Sequence, residues 1–307
     1  MPATPRPHPT PSAAADETRV VTTDQGEVTV PADPQRIVVL NSALAGYLYA
    51  LDVPVHGAIP LNTQTDEFPE AWAEEAAEDG TVMIPWTDAG FDIEALAAEA
   101  PDLIIGGGQG FPAVQAEQVY GQLSQVAPTV LVSADLTTWQ GQLDHLATDV
   151  LGVPDAEQEL LDAYDEKVAE VRDAIDLPAT PVGYLLMLAD GTPYSIPEDA
   201  QLPQTLAEVG LEPAPVIADN PDFQTYGSGD SFELSREQVG IVVTAPTVFV
   251  LGFQADTVTA ESLAADPVFA ALPAFQAGSV YDLPSTANRA DWYATMDLLD
   301  VVQAQFG

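Results

Sequence analysis

The sequence predicts an α/β fold: two Rossmann-like lobes on mostly parallel sheets, joined by one long helix. Three observations predict it. Short apolar runs alternate with amphipathic segments and Pro or Gly breaks, the order of repeated strand-helix units. Residues 155–176 then hold one unbroken helical period. After them the alternation restarts, and a phrase of the first half returns: PDLIIGGGQ at 101–109 and PTVFVLGFQ at 246–254, each behind a helix that follows Phe-Asp-Ile-Glu or Phe-Glu-Leu-Ser. The boundaries are therefore a flexible tail at 1–18, a first lobe at 19–153, a linking helix at 154–177 and a second lobe at 178–307.

Taken in order, MPATPRPHPTPSAAADET is rich in Pro, Ala and Thr and reads as an extended linker. This start fits a mature exported chain placed behind a new Met, its signal segment removed, with a native cytoplasmic N-terminus as the alternative. RIVVL, residues 36–40, is a continuous apolar run of the buried parallel kind. Asn41-Ser42 caps the helix behind it, and a second strand follows near residues 55–59. FDIEALAAEAPDLIIGG gives helix, break at Pro101 and buried strand, and AVQAEQVYGQLSQVAPTVLVS repeats that order. In 155–176 the apolar positions Ala156, Leu160, Leu161, Tyr164, Val168, Val171 and Ile175 recur at steps of three and four between Pro154 and Pro178. The second series is GYLLML, QTLAEVG, SREQVGIV, TVFVLGF, ESLAADPVFAAL, SVYDL and WYATMDLLDVVQAQF.

Composition narrows the function. Seven Lys and Arg against 48 Asp and Glu leave a net charge of −41, spread along the chain. This disfavours nucleic acid and acidic lipid. Salt adaptation explains the acidity better than concentration of cations. Without cysteine there is no thiolate nucleophile, and His8, His56 and His145 form no zinc pattern, so no resident metal is expected. No apolar run approaches the roughly 20 residues that span a bilayer.

GGGQGF, residues 106–111, matches neither a P-loop nor a dinucleotide fingerprint. It reads as a strand-to-helix turn that leaves Gln109 and Phe111 free to line a cleft, or as a purely structural turn. No hydrolase constellation appears. Trp86, Phe111, Tyr194, Tyr226, Phe253, Trp292 and Tyr293 all fall in predicted loops or at element ends, which suggests a ligand surface.

The phrases VTVPADPQRIVVL, IEALAAEAPDLIIGG, LSREQVGIVVTAPTVFVL, SLAADPVFAALPAFQAGSVYDLP and RADWYATMDLLDVV carry a family resemblance that covers nearly the whole chain from about Val20. The chain resembles the substrate-binding proteins of ABC importers for ferric siderophores, haem and cobalamin, most of all the ferric-enterobactin type. The resemblance implies a helical-backbone metal receptor: two lobes, one rigid linking helix and a shallow cleft between the lobes. It implies that Glu94 and Glu237, one per lobe, dock with basic pockets on the permease. It also matches RADWY, Arg289 to Tyr293, to an RxDYY-like pattern in which Arg bonds chelate oxygens and stacks on rings.

The chain departs from the catecholate pattern in having few cations. A neutral or cationic ferric hydroxamate suits it better than a trianion. The expectation is a monomeric, non-enzymatic, extracytoplasmic protein, lipid-anchored in its precursor, that captures a ferric siderophore and hands it to an ABC permease. It needs no cofactor, since the metal arrives chelated. The expected contacts are Asn41, Ser42, Trp86, Gln109 and Phe111 from the first lobe, and Tyr194, Tyr226, Phe253, Arg289, Trp292 and Tyr293 from the second. Haem or cobalamin binding is the alternative within the class. A hydrolase acting on a siderophore or glycan is the alternative outside it.

Overall fold

A computed structural model of the chain describes residues 17–63, 65–223, 225, 230–253 and 258–307. The chain divides into two compact units: residues through Leu136 with Gln140–Leu160, and Thr137–Trp139 with Leu161–Gly307.

The first unit opens on an antiparallel hairpin, Thr18–Thr23 with Gly26–Pro31. Gly26 has φ 109°, and the Thr23 hydroxyl donates to its carbonyl at 2.9 Å. A five-stranded sheet follows, ordered Val82–Met83, Gly57–Ala58, Ile37–Val39, Leu103–Gly107, Thr129–Val132, with every pairing parallel. Its three longer strands are buried throughout, as a parallel sheet covered on both faces requires. Val38, Leu40, Ile84, Leu96, Ile104, Leu123 and Leu131 form one core cluster. Each such side chain contributes about 1.5–3 kcal/mol on burial.

The expected long helix is present as Pro154–Ala174, 21 residues. Of the predicted positions, Tyr164, Val168 and Val171 are buried at steps of four and three, Ala156, Leu160 and Leu161 are half-buried, and Glu157 is buried beside them. Trp139 meets Tyr164 edge-on at 4.8 Å inside the second unit. Glu157 is the one carboxylate buried on this helix. It accepts from the Thr148 hydroxyl at 3.2 Å. Burial, and then the Asp144 carboxylate, raise its pKa, so the folded state holds the proton more tightly than the unfolded one. Stability carried by this group therefore rises as pH falls through the raised pKa. Glu157→Gln is expected to increase Tm at about pH 7 and to shrink the gain seen on acidification to about pH 5. Thermal melts at both pH values check this, and an unchanged Tm at the higher one would refute it.

The second unit's sheet also has five strands, ordered Phe232–Glu233, Pro193–Ser195, Val182–Met187, Thr247–Gly252, Val280–Asp282. The last three are parallel, whereas the first two add in antiparallel fashion. The core behind it is Leu185, Phe232, Leu234, Val239, Val248, Val250, Phe269 and Leu272. The closing helix, Trp292–Phe306, starts at Asp291, whose carboxylate accepts from Ala294 N at 2.8 Å.

Candidate functional site

In an open α/β sheet, ligands bind outside the carboxyl ends of the strands where the strand order reverses. In the first unit that point lies between Ile37–Val39 and Leu103–Gly107: from the former the chain moves to one edge of the sheet, then returns to the latter and to the opposite edge. Asn41 sits on it. Its Oδ1 accepts from Ala43 N at 3.1 Å, capping the helix Ser42–Ala50, while its Nδ2 donates to the carbonyls of Gly107 at 2.9 Å and Gln109 at 3.1 Å. One side chain thus ties the ends of both central strands together.

The glycines make that closure possible. Gly107 has φ 79°, and a Cβ there would lie 2.4 Å from the Val132 carbonyl oxygen. The run is therefore a turn fixed by backbone sterics. The sequence left Gln109 free to line a cleft, but it is 7% exposed, because the turn folds its backbone back onto Asn41. Phe111, at the start of the helix Phe111–Val126, is the exposed member at 40%. Trp86 is buried beneath it, ring centroids 6.3 Å apart. The Trp86 indole donates to Gln115 Oε1 at 2.6 Å, and Gln115 Nε2 donates to the carbonyls of Thr87 and Asp88. Gln115, absent from the expected set, thereby locks the short hairpin Trp86–Thr87 and Gly90–Phe91 against this helix. Ser42, at the first helical position, is half-buried.

In the second unit the corresponding ends carry Phe253, Arg289, Trp292 and Tyr293. Phe253 N donates to the Met187 carbonyl at 2.9 Å, which places it over the ends of both central parallel strands. The Arg289 guanidinium lies 5.8 Å from the Phe253 ring centroid, in cation-π range. Its Nε donates to Asp230 Oδ2, a partner the sequence reading did not include. Trp292 and Tyr293 stand edge to face at 5.3 Å. Gln201 Nε2 donates to the Ala290 carbonyl at 2.6 Å and holds the segment between Arg289 and the helix.

Tyr194 differs from its expected place at an element end. It is the middle residue of Pro193–Ser195, opposite Leu186 and Glu233, and its hydroxyl donates to Glu233 Oε2 at 3.3 Å. So short an antiparallel strand leaves no periodicity to read. Tyr226 lies outside the described residues.

Glu94 and Glu237 are both exposed, and neither has a salt bridge among the described residues. Each is the second residue of a short helix, Ile93–Ala98 or Arg236–Val242. Asp92 caps the first through Ala95 N at 2.9 Å, and Ser235 with Gln238 forms a capping box on the second. Each helix leads through a proline, Pro101 or Pro246, into a central parallel strand. The two carboxylates thus hold the same position in their helices, the second residue of each. Arg236 makes bonds of 2.7 and 2.6 Å to Asp266, holding that carboxyl below its usual range and leaving Glu237 unneutralised by its neighbour.

Among the described residues, no group of three or more His, Asp or Glu is arranged to hold a metal ion. No described helix is long and apolar enough to cross a membrane. His56 bonds to Arg36 and Glu99, and His145 to Asp149.

The family model described as periplasmic binding protein matches residues 37–287. The chain is 32% identical over 301 residues to the ferric enterobactin-binding periplasmic protein FepB of Escherichia coli O6:H1, covering 95% of this chain and 92% of that protein. Among solved structures, holo-ViuP superposes with a TM-score of 0.81 at 24% identity, over 94% of this chain and 95% of that one. Staphylococcus aureus SirA complexed with staphyloferrin B gives 0.73 at 20% identity, over 94% and 99%. These two similarities speak to the fold alone.

Proposed function

From a chain that belongs to the periplasmic binding protein family, we infer an extracytoplasmic substrate-binding component that captures a ferric siderophore and delivers it to an ABC permease. The observation that carries this reading is the near end-to-end match to a ferric enterobactin-binding relative. The iron is cargo, enclosed by its own chelator, so binding asks nothing of protein metal ligands. It asks for apolar and aromatic surface against the chelator's body and a few N–H donors toward its oxygens.

The carboxyl-end patches offer both. Phe111, backed by Trp86, and Phe253, Trp292 and Tyr293 supply aromatic area. Arg289 supplies a planar set of donors. Glu94 and Glu237 are the permease-docking carboxylates in this reading, and the protein acts by binding, with no turnover of the ligand.

Titration of tryptophan fluorescence with ferric hydroxamate, catecholate and citrate chelates, and with haem and cobalamin, tests the assignment. Saturable quenching is expected from a ferric siderophore, with the chelate recovered unchanged. Failure of every chelate would overturn the reading, quenching by haem alone would move it to the haem class, and ligand breakdown would make the protein an enzyme.

A further inference from the structure

This inference rests on the siderophore reading and concerns which chelates the site takes. Arg289 is the cation of the second unit's carboxyl-end patch, and it is already matched. Asp230, 5% exposed, takes up its Nε. The Asp230 carboxylate lies 59 residues away in sequence, too far for a local turn to account for the pairing. Arg289 itself has φ 61°, a left-handed conformation that non-glycine residues rarely adopt. The backbone on its far side is fastened by Gln201 at Ala290 and by the cap at Asp291. The pair is therefore held from both ends.

No other described cation is free to help. Arg36 bonds to Glu99, Lys167 to Asp300, and Arg236 to Asp266. Arg19 and Arg172 donate to the carbonyls of Ala32 and Glu208. In the first unit's patch, Asn41, Ser42, Gln109 and Phe111 carry no charge. A ligand at the second unit's patch meets directed donors, since a guanidinium has more N–H groups than one carboxylate engages, but no net positive charge. In a chain of net charge −41 this weighs against a trianionic chelate.

We propose that Asp230 is a specificity-determining residue: by compensating Arg289 it tunes the site to ferric chelates without net negative charge, such as trihydroxamates, and against trianionic tricatecholates. Asp230→Asn keeps the shape and an acceptor for Arg289 while exposing the guanidinium charge. The test titrates wild type, D230N, D230E and the doubly neutral D230N/R289Q with ferrichrome, a neutral trihydroxamate, and ferric enterobactin, a trianion, while thermal melts monitor folding.

Wild type is expected to prefer the neutral chelate. D230N shifts the ratio of the two affinities toward the trianion by about tenfold or more, the scale of one uncompensated charge in a partly screened medium. D230E and the double variant keep a ratio near wild type. A ratio unmoved by D230N, or a wild type that prefers the trianion, overturns the proposal while leaving the siderophore reading intact. A folded wild type that binds neither these nor any other ferric siderophore overturns both.

Discussion

Replacing Glu94 and Glu237 together by Lys is expected to leave the affinity for the chelate unchanged and to abolish uptake of its iron. The separation of effects follows from position. Both glutamates are exposed second residues of capped helices. The caps belong to other side chains, Asp92 in one case and Ser235 with Gln238 in the other. Losing each carboxylate near its helix N-terminus therefore costs only about 0.3–1 kcal/mol, and the fold survives. Docking loses much more. Removing one member of a desolvated charge pair costs about 2–5 kcal/mol at an interface, and a lysine facing a basic pocket adds repulsion. Two such losses put transport below detection, whereas either single change leaves partial uptake. The measurement is accumulation of iron-labelled chelate in proteoliposomes carrying the permease, beside a fluorescence titration of each variant. Wild-type uptake by the double variant would remove both residues from the docking surface, and lost binding would make them structural.

The two glutamates were named from the family resemblance, and the repeated phrase of the chain accounts for the helices that carry them. Helix, proline, strand and glycine recur with the same chemistry, and the strand of each phrase is a central parallel strand of its sheet. Long periodic elements were legible in the sequence: the stripe on Pro154–Ala174 follows from its own spacing. Elements whose partners are distant were not. The strands Pro193–Ser195 and Phe232–Glu233 are three and two residues long and exist because they pair with each other and with Val182–Met187. The hairpin at Thr18–Thr23 carries a turn signal in Asp24-Gln25-Gly26, overshadowed by the Pro-rich segment before it.

At the candidate site, residue types that announce themselves could be named from the sequence, whereas their pairings could not. Asn41, Phe111 and Arg289 stood out by position and scarcity. Asp230 did not, because one acid among 48 Asp and Glu residues carries no signal until its partner is known. Gln115 was hidden in the same way: only contact with Trp86 shows why a glutamine is buried on that helix. Gln109 is buried because a glycine-rich turn can bend its backbone either way, and Asn41, itself 5% exposed, decides which. Buried polar groups owe their positions to tertiary partners, and sequence spacing does not reveal those.

The melting temperature of the protein is expected to rise by about 10 °C between about 10 mM and 1 M NaCl. The net charge of −41 is the cause. Among the described residues only Glu157, Asp230 and Asp291 are buried acids, accepting from Thr148, Arg289 and Ala294 N respectively, so the other described carboxylates are at least partly exposed to one another's fields. A compact unit of about 150 residues has a radius of gyration near 15 Å. The Debye length falls from about 30 Å at 10 mM to about 3 Å at 1 M, so at low salt the carboxylates of a unit repel across its whole width, and at high salt only neighbours interact. Unfolding separates those charges, hence screening favours the folded state, and a few kcal/mol of relieved repulsion at about 2–4 °C per kcal/mol gives the shift. At Asp297 desolvation raises the pKa first, and repulsion from Asp300 adds to it. A carboxyl raised in the folded state binds protons more tightly there, so its contribution to stability grows as pH falls through that pKa. Salt and mild acid should therefore stabilise by overlapping amounts, the salt response shrinking at about pH 5. Melts over a NaCl series, with sucrose as a control for effects not due to charge, measure this. A flat or falling Tm in NaCl would show that self-repulsion does not limit this fold.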